Sequence, residues 1–247
     1  MELISLILVF LIGLSASFLG SIVGGGGLIS IPLLILMGLP PHVAFATNRV
    51  GTLGMSAGMI VTFWRKKKIL WRYVLPLTII GMIAGLYGAN LLIKVDEAIL
   101  DKGLGIILLL LLPLFFIEKE IGLKHTEVSS RKKLIGYIAY ALVMVWGGFF
   151  GAGTGVLLFY ALTYFFGFTL IESNATSIVP WLFVSLGAVT IFAINGLIHV
   201  WFGIILVAGM YLGGMLGSLM AVKKGNRWVK MSFMVMIVAL SIKLLFF

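Results

Sequence analysis

Apolar runs separated by short polar breaks succeed one another along the whole chain, at about 3–23, 27–39, 42–63, 73–93, 98–117, 134–150, 154–167, 171–194, 199–221 and 229–247. Most of the ten match a helix that crosses a bilayer, which takes roughly 20 apolar residues. The second and seventh are short, and each follows a cluster of glycines. They read as thin crossings, half-helices or re-entrant arms. No formally charged residue lies between Glu2 and Arg49, between Lys133 and Glu172, or between Glu172 and Lys223.

Composition agrees with the pattern. Of 247 residues, 62% are apolar and 11% charged, against about 25% charged in soluble domains. A chain of this size cannot hide so much apolar surface from water, so the expected fold is an all-α, polytopic membrane protein with the lipid bilayer as its solvent. The net charge of +10 does not point to nucleic acid, because the cations sit in short breaks: Arg65–Lys68 with Arg72, Arg131–Lys133, and Lys223–Lys230. Cations concentrated in such loops mark the cytoplasmic side. The break at 94–102 carries Asp96, Glu97 and Asp101, and the break at 195–199 carries no formal charge, so both are expected outside, as are both termini. Cysteine is absent, which excludes disulfides and thiolate chemistry. Three scattered histidines, His42, His125 and His199, do not suggest a zinc site, and no cofactor is expected. The start Met1-Glu2 lacks the basic region of a cleaved signal peptide.

The chain also repeats itself. Gly20-x-x-x-Gly24-Gly-Gly-Gly27 resembles Gly147-Gly-x-x-Gly151-Ala-Gly-Thr154. Each cluster precedes a short apolar run and then a polar triplet, Ala46-Thr47-Asn48 in the first half and Ala175-Thr176-Ser177 in the second. Gly81-x-x-x-Gly85 matches Gly209-x-x-x-Gly213. Five segments per half is an odd number, so the halves, 1–117 and 134–247 joined by a cytoplasmic linker at 118–133, are expected upside down relative to each other. Inverted repeats of this kind build secondary transporters, with substrate near the midplane where broken helices meet.

The candidate site residues follow from that frame. Gly24, Gly25, Gly26 and Gly27, and Gly151, Gly153 and Thr154, would break their helices and leave backbone N–H groups for an anion at the following helix N-terminus; the plainer reading is tight turns. Thr47, Asn48, Asn174, Thr176 and Ser177 would add neutral donors, or simply interhelical hydrogen bonds. Arg49 would attract an anion, or snorkel to the outer interface. Glu172 reads as an interfacial carboxylate at a helix N-terminus or as a proton carrier. His42 and His199 are expected at the outer face. Trp64, Trp71, Trp181 and Trp201 are candidate interfacial anchors. The Gly54-x-x-x-Gly58, Gly81-x-x-x-Gly85 and Gly209-x-x-x-Gly213-x-x-x-Gly217 stripes indicate close helix packing, or the seam of a homodimer.

Together, Gly20-x-x-x-Gly-Gly-Gly-Gly-Leu28, Ile31-Pro32, Gly38-x-Pro40 and Ala44-x-Ala-Thr-Asn48, with Gly147-Gly-x-x-Gly-x-Gly-x-Gly155 and Asn174-Ala-Thr-Ser177, resemble the TauE/SafE sulfite-exporter family over nearly the whole chain. The resemblance implies secondary transport of sulfite, sulfonates such as sulfoacetate, or related small anions across a bacterial or archaeal inner membrane, driven by an ion gradient. A passive anion channel and a membrane subunit of a larger transport complex are the rivals. No nucleophile–base pair or metal cluster suggests an enzyme.

Overall fold

A computed structural model describes residues 3–95 and 122–235, apart from Gly25, Ala152 and Phe233. Among the described residues every regular element is a helix: α1 (Leu3–Val23), α2 (Gly27–Leu36), α3 (Pro41–Arg65), α4 (Trp71–Lys94), α5 (Ser130–Phe149), α6 (Thr154–Phe166), α7 (Leu170–Ile194) and α8 (Val200–Lys224). The expected segment at 98–117 lies outside the described residues, as does most of 229–247, although 226–232 is helical.

Local chemistry sets the ends. Pro41 begins α3 where its missing N–H costs nothing. Thr169 and Glu172 form a reciprocal capping box at the start of α7. Glycines in the left-handed region stop α1 (Gly24, φ +76°) and α6 (Gly167, φ +75°). Ser129 caps α5 by accepting from Lys132 N. Arg131, Lys132 and Lys133, expected in the linker, are therefore in the first turn of α5.

The two short segments do not cross. At about 1.5 Å per residue, the 10 residues of α2 and the 13 of α6 reach about 15 and 20 Å, short of the roughly 30 Å hydrocarbon core. Each folds back on the helix before it. Gly26 packs so close to Gly20 that a Cβ on Gly20 would lie 2.6 Å from Gly26 Cα. Gly136, early in α5, lies against Phe165 and Phe166 at the end of α6. Thus α1–α2 and α5–α6 are two re-entrant hairpins.

The helix contacts map onto themselves when α1–α4 are exchanged for α5–α8. Helix α1 packs on α8 as α5 packs on α4; α3 packs on α8 as α7 packs on α4; and α3 and α7 meet at the centre. The exchange reverses direction. Helix α3 ends at the basic Arg65–Arg72 break, whereas its counterpart α7 starts beside that break, where Leu70 N donates to Thr176 Oγ1 at 3.1 Å. This is the inverted arrangement that the odd segment number requires. The glycine stripes are used within the chain: a Cβ on Gly213 would drive into the Leu14 carbonyl of α1, and one on Gly85 would meet Val184.

The outer surface is apolar. Leu75, Ile79 and Ile83 form an exposed stripe on α4, and Leu134, Ile138 and Leu142 one on α5. The chain is a multi-pass membrane protein, and these faces belong in lipid. The face where α3 and α8 end and α4, α5 and α7 begin collects the basic breaks. There, residues 122–128 are stitched along the α6–α7 connection, with Leu170 N donating to Gly122 O (2.9 Å) and Thr126 N to Gly167 O (2.9 Å).

Candidate functional site

The tips of the two hairpins touch at the centre of the molecule. Gly24 lies against Gly155, so that a Cβ on Gly24 would be 2.7 Å from the Gly155 carbonyl carbon. Beside this contact is a cavity of about 70 Å³, several times the roughly 10–15 Å³ that a single water needs. A small oxyanion fits.

Both short helices start at this cavity. Gly26 and Gly153 occupy their N-cap positions, and no side chain caps either end. Ile29 N and Val156 N turn back to the N-cap carbonyls of Gly26 and Gly153, and Thr154 N to Gly151 O; with no side-chain cap, the remaining N–H groups make this the meeting place of two positive helix ends. The helices that precede them, α1 and α5, bring their carbonyl-rich negative ends to the same place. Each of those ends is covered by a polar side chain from the other half. Asn174 of α7 donates through Nδ2 to Ser21 O of α1 at 2.5 Å. Arg49 of α3 donates through Nη2 to Gly147 O of α5 at 2.6 Å and to Gly148 O at 3.4 Å.

The two covers are not equivalent. Asn174 is neutral. Arg49 is a cation, only 5% exposed, with its guanidinium carbon 4.8 Å from the centre of the Trp181 ring. Its Nη1 is buried and has no hydrogen-bond partner. Among the described residues no carboxylate pairs with it. The named lining carries no other formal charge. Asn48 adds a donor: its Oδ1 accepts from Ser30 Oγ at 2.6 Å, which leaves the amide NH₂ as its donor end. Phe45, Met55, Met59, Phe150 and Leu158 form the apolar wall. The site thus offers one positive charge, convergent N–H donors and a low dielectric, the requirements for holding an anion.

Of the residues singled out in the sequence, Gly24, Gly26, Gly27, Asn48, Arg49, Gly151, Thr154, Asn174 and Ser177 line this cavity. Gly25 lies outside the described residues. Gly153 does not line the cavity; its φ of +74° starts α6. Thr47 and Thr176 stand apart, both fully buried. Thr47 Oγ1 accepts from His199 N at 3.0 Å, and Thr176 Oγ1 accepts from Leu70 N. His199 and Leu70 are the N-cap residues of α8 and α4. The two threonines therefore lock equivalent helix starts in opposite halves. Thr47→Val or Thr176→Val strands one amide, and each is expected to cost about 1–2 kcal/mol of stability without a direct effect on ligand affinity. Thermal unfolding in detergent, set beside ligand binding, checks both.

Arg49 does not snorkel; it turns inward to α5. Trp181 is no interfacial anchor. It is 8% exposed and stacks over Arg49, whereas Trp64, Trp71 and Trp201 are exposed. Its place mid-segment, immediately after Pro180, was the available signal: it lies too deep for the interface. His42 Nε2 lies against Leu92 O (3.1 Å) and Val95 O (3.0 Å), at the face where α3 starts and α4 ends, opposite the basic breaks. Glu172 is engaged by the α7 capping box and by His125 Nδ1 at 2.9 Å.

The sulfite exporter TauE/SafE family profile matches residues 9–244. A Haemophilus influenzae protein named "Probable membrane transporter protein" is 29% identical over 98% of this chain and 94% of its own length. The Escherichia coli K12 "Probable membrane transporter protein YfcA" is 28% identical over 96% of this chain and 88% of its own. A Sinorhizobium "Probable membrane transporter protein ORF9" is 26% identical over 96% and 90%. No solved structure matches.

Proposed function

The chain belongs to the sulfite exporter TauE/SafE family of membrane transporters, and from that premise we propose that it carries small sulfur oxyanions, such as sulfite or a short sulfonate, by alternating access. One observation supports the reading above the rest. A buried guanidinium, Arg49, whose Nη1 has no hydrogen-bond partner, lines a cavity where two uncapped helix N-termini converge.

The oxyanion would sit between Arg49 Nη1, the Asn48 amide and the first-turn N–H groups of α2 and α6. Neutral donors with a single cation hold an anion strongly enough for entry yet allow release. The hairpin tips belong to opposite halves, so rocking one half against the other would open the cavity to each side in turn. An ion gradient would drive net movement. By the distribution of cations the basic face would be cytoplasmic, in a bacterial or archaeal inner membrane, with both termini outside.

Flux into proteoliposomes tests this directly. Sulfite, sulfate, thiosulfate, sulfoacetate and a plain carboxylate should be compared with protein-free vesicles. Saturable flux of at least one sulfur oxyanion is expected. Correctly folded protein that moves none of them would overturn the proposal, and flux that rises linearly without saturation would indicate a channel instead.

A further inference from the structure

Among the described residues, the cavity lining carries one fixed charge, Arg49, and no carboxylate or imidazole. The chain has eight acidic residues. The two that are described, Glu127 and Glu172, lie on the basic face, in the segment before α5 and in the first turn of α7. The other six fall at position 2 and between positions 96 and 120, outside the described residues, and neither Glu127 nor Glu172 lines the cavity. The three histidines sit at or before helix starts: His42 in the first turn of α3, His125 before α5, and His199 at the cap of α8. Among the described residues, the groups bonded to or stacked on Arg49 are the carbonyls of Gly147 and Gly148 on α5 and the ring of Trp181 on α7. None of them titrates. Among the described residues, then, no carboxylate or imidazole lines the cavity to carry a proton across with the substrate.

Charge balance then decides which forms of the carrier can turn. Alternating access passes through a closed state in which the cavity is sealed from water on both sides. With an anion in place, Arg49 is neutralised and its spare donor is satisfied. Without one, the closed state would enclose an uncompensated cation in the membrane interior, which is strongly unfavourable. Resting on the transport reading above, we infer that the protein is an anion-for-anion exchanger whose cavity reorients only when a singly charged anion neutralises Arg49. The driving gradient is that of the counter-anion. One-for-one exchange of single charges moves no net charge, so the membrane potential does no work on it.

Counterflow decides the matter. The purified full chain is reconstituted into chloride-free vesicles that contain either unlabelled sulfite or only a zwitterionic buffer. Radiolabelled sulfite is then supplied outside at mildly acidic pH, where the ion is singly charged, and protein-free vesicles are subtracted. Internal sulfite is expected to raise the initial rate by roughly tenfold or more, because the anion-free return step carries the buried charge alone. Clamping the membrane potential at either sign should leave that rate unchanged. Equal rates with and without internal anion, or a rate that follows the potential, overturn exchange while the transport reading stands. An absence of flux in both arms overturns the two together.

Discussion

Arg49→Met is expected to remove anion transport while leaving the protein folded and nearly as stable. The transport loss follows from the geometry of Nη1. A buried donor that carries charge and meets an anionic ligand contributes about 2–4 kcal/mol, so kcat/KM should fall by roughly 30- to 1000-fold. The stability change has two opposed parts. Methionine gives up the bonds from Nη2 to Gly147 O and Gly148 O, which cover the negative end of α5. It also removes a buried cation that has no ion-pair partner among the described residues, and replacing such a group by an apolar side chain of similar length is often neutral or favourable. The net shift should stay within about 1–2 kcal/mol. Vesicle flux, read beside thermal unfolding in detergent, separates two roles for this residue. If Arg49 serves only to cap α5, methionine will lower the unfolding temperature sharply and the surviving protein will still transport. Arg49→Lys should fall between wild type and Arg49→Met. It keeps the charge, but a single ammonium lacks the planar fork that binds α5 with one nitrogen and leaves the other free for a ligand.

What could be read in advance follows from the range of each interaction along the chain. Helix ends carry local punctuation: Gly24 and Gly167 need the left-handed region, Pro41 suits a first turn, and Thr169 with Glu172 makes a box three residues apart. The paired glycine clusters announced two breaks, and a break in lipid must be answered by other groups. The identity of those groups was not legible. Arg49 reaches Gly147 across 98 positions, and Asn174 reaches Ser21 across 153; no periodicity encodes either pairing. The threonines show how a correct motif can carry the wrong role. Thr47 and Thr176 recur at matching places, and so do their partners: the interval from 47 to 176 equals that from 70 to 199. That symmetry marks a structural lock, because a substrate bound once at the midplane has no need of two identical contacts this far apart. Arg49, matched by Ile178 in the other half, breaks the symmetry, and asymmetry at a pseudo-twofold axis is the better pointer to the ligand.

Gly155→Ala is expected to lower both the stability of the protein and its affinity for the anion. The added Cβ would drive into the Gly24 backbone, far inside van der Waals contact with its carbonyl and Cα. Neither side has a flexible side chain that can swing away, because both partners are main chain. Gly24 also holds a φ of +76°, so its turn cannot rotate freely to make room. The hairpin tips must separate by about 1 Å or more, at a cost of roughly 2–3 kcal/mol for overpacking. The proposed anion cradle would span that same contact, with N–H groups from α2 on one tip and α6 on the other. A displacement of about 1 Å between convergent donors can cost on the order of 100-fold in productive binding. Both stability and anion affinity should therefore fall in the alanine variant. Gly203→Ala is the matched comparison in the same bundle. Its Cβ would come 3.3 Å from the Val50 side chain, which can yield by a few tenths of an ångström, so the variant should unfold and transport much as the parent does. If Gly155→Ala instead matches Gly203→Ala in both measurements, the hairpin tips do not bear on each other and the cavity cannot be shared between the two halves.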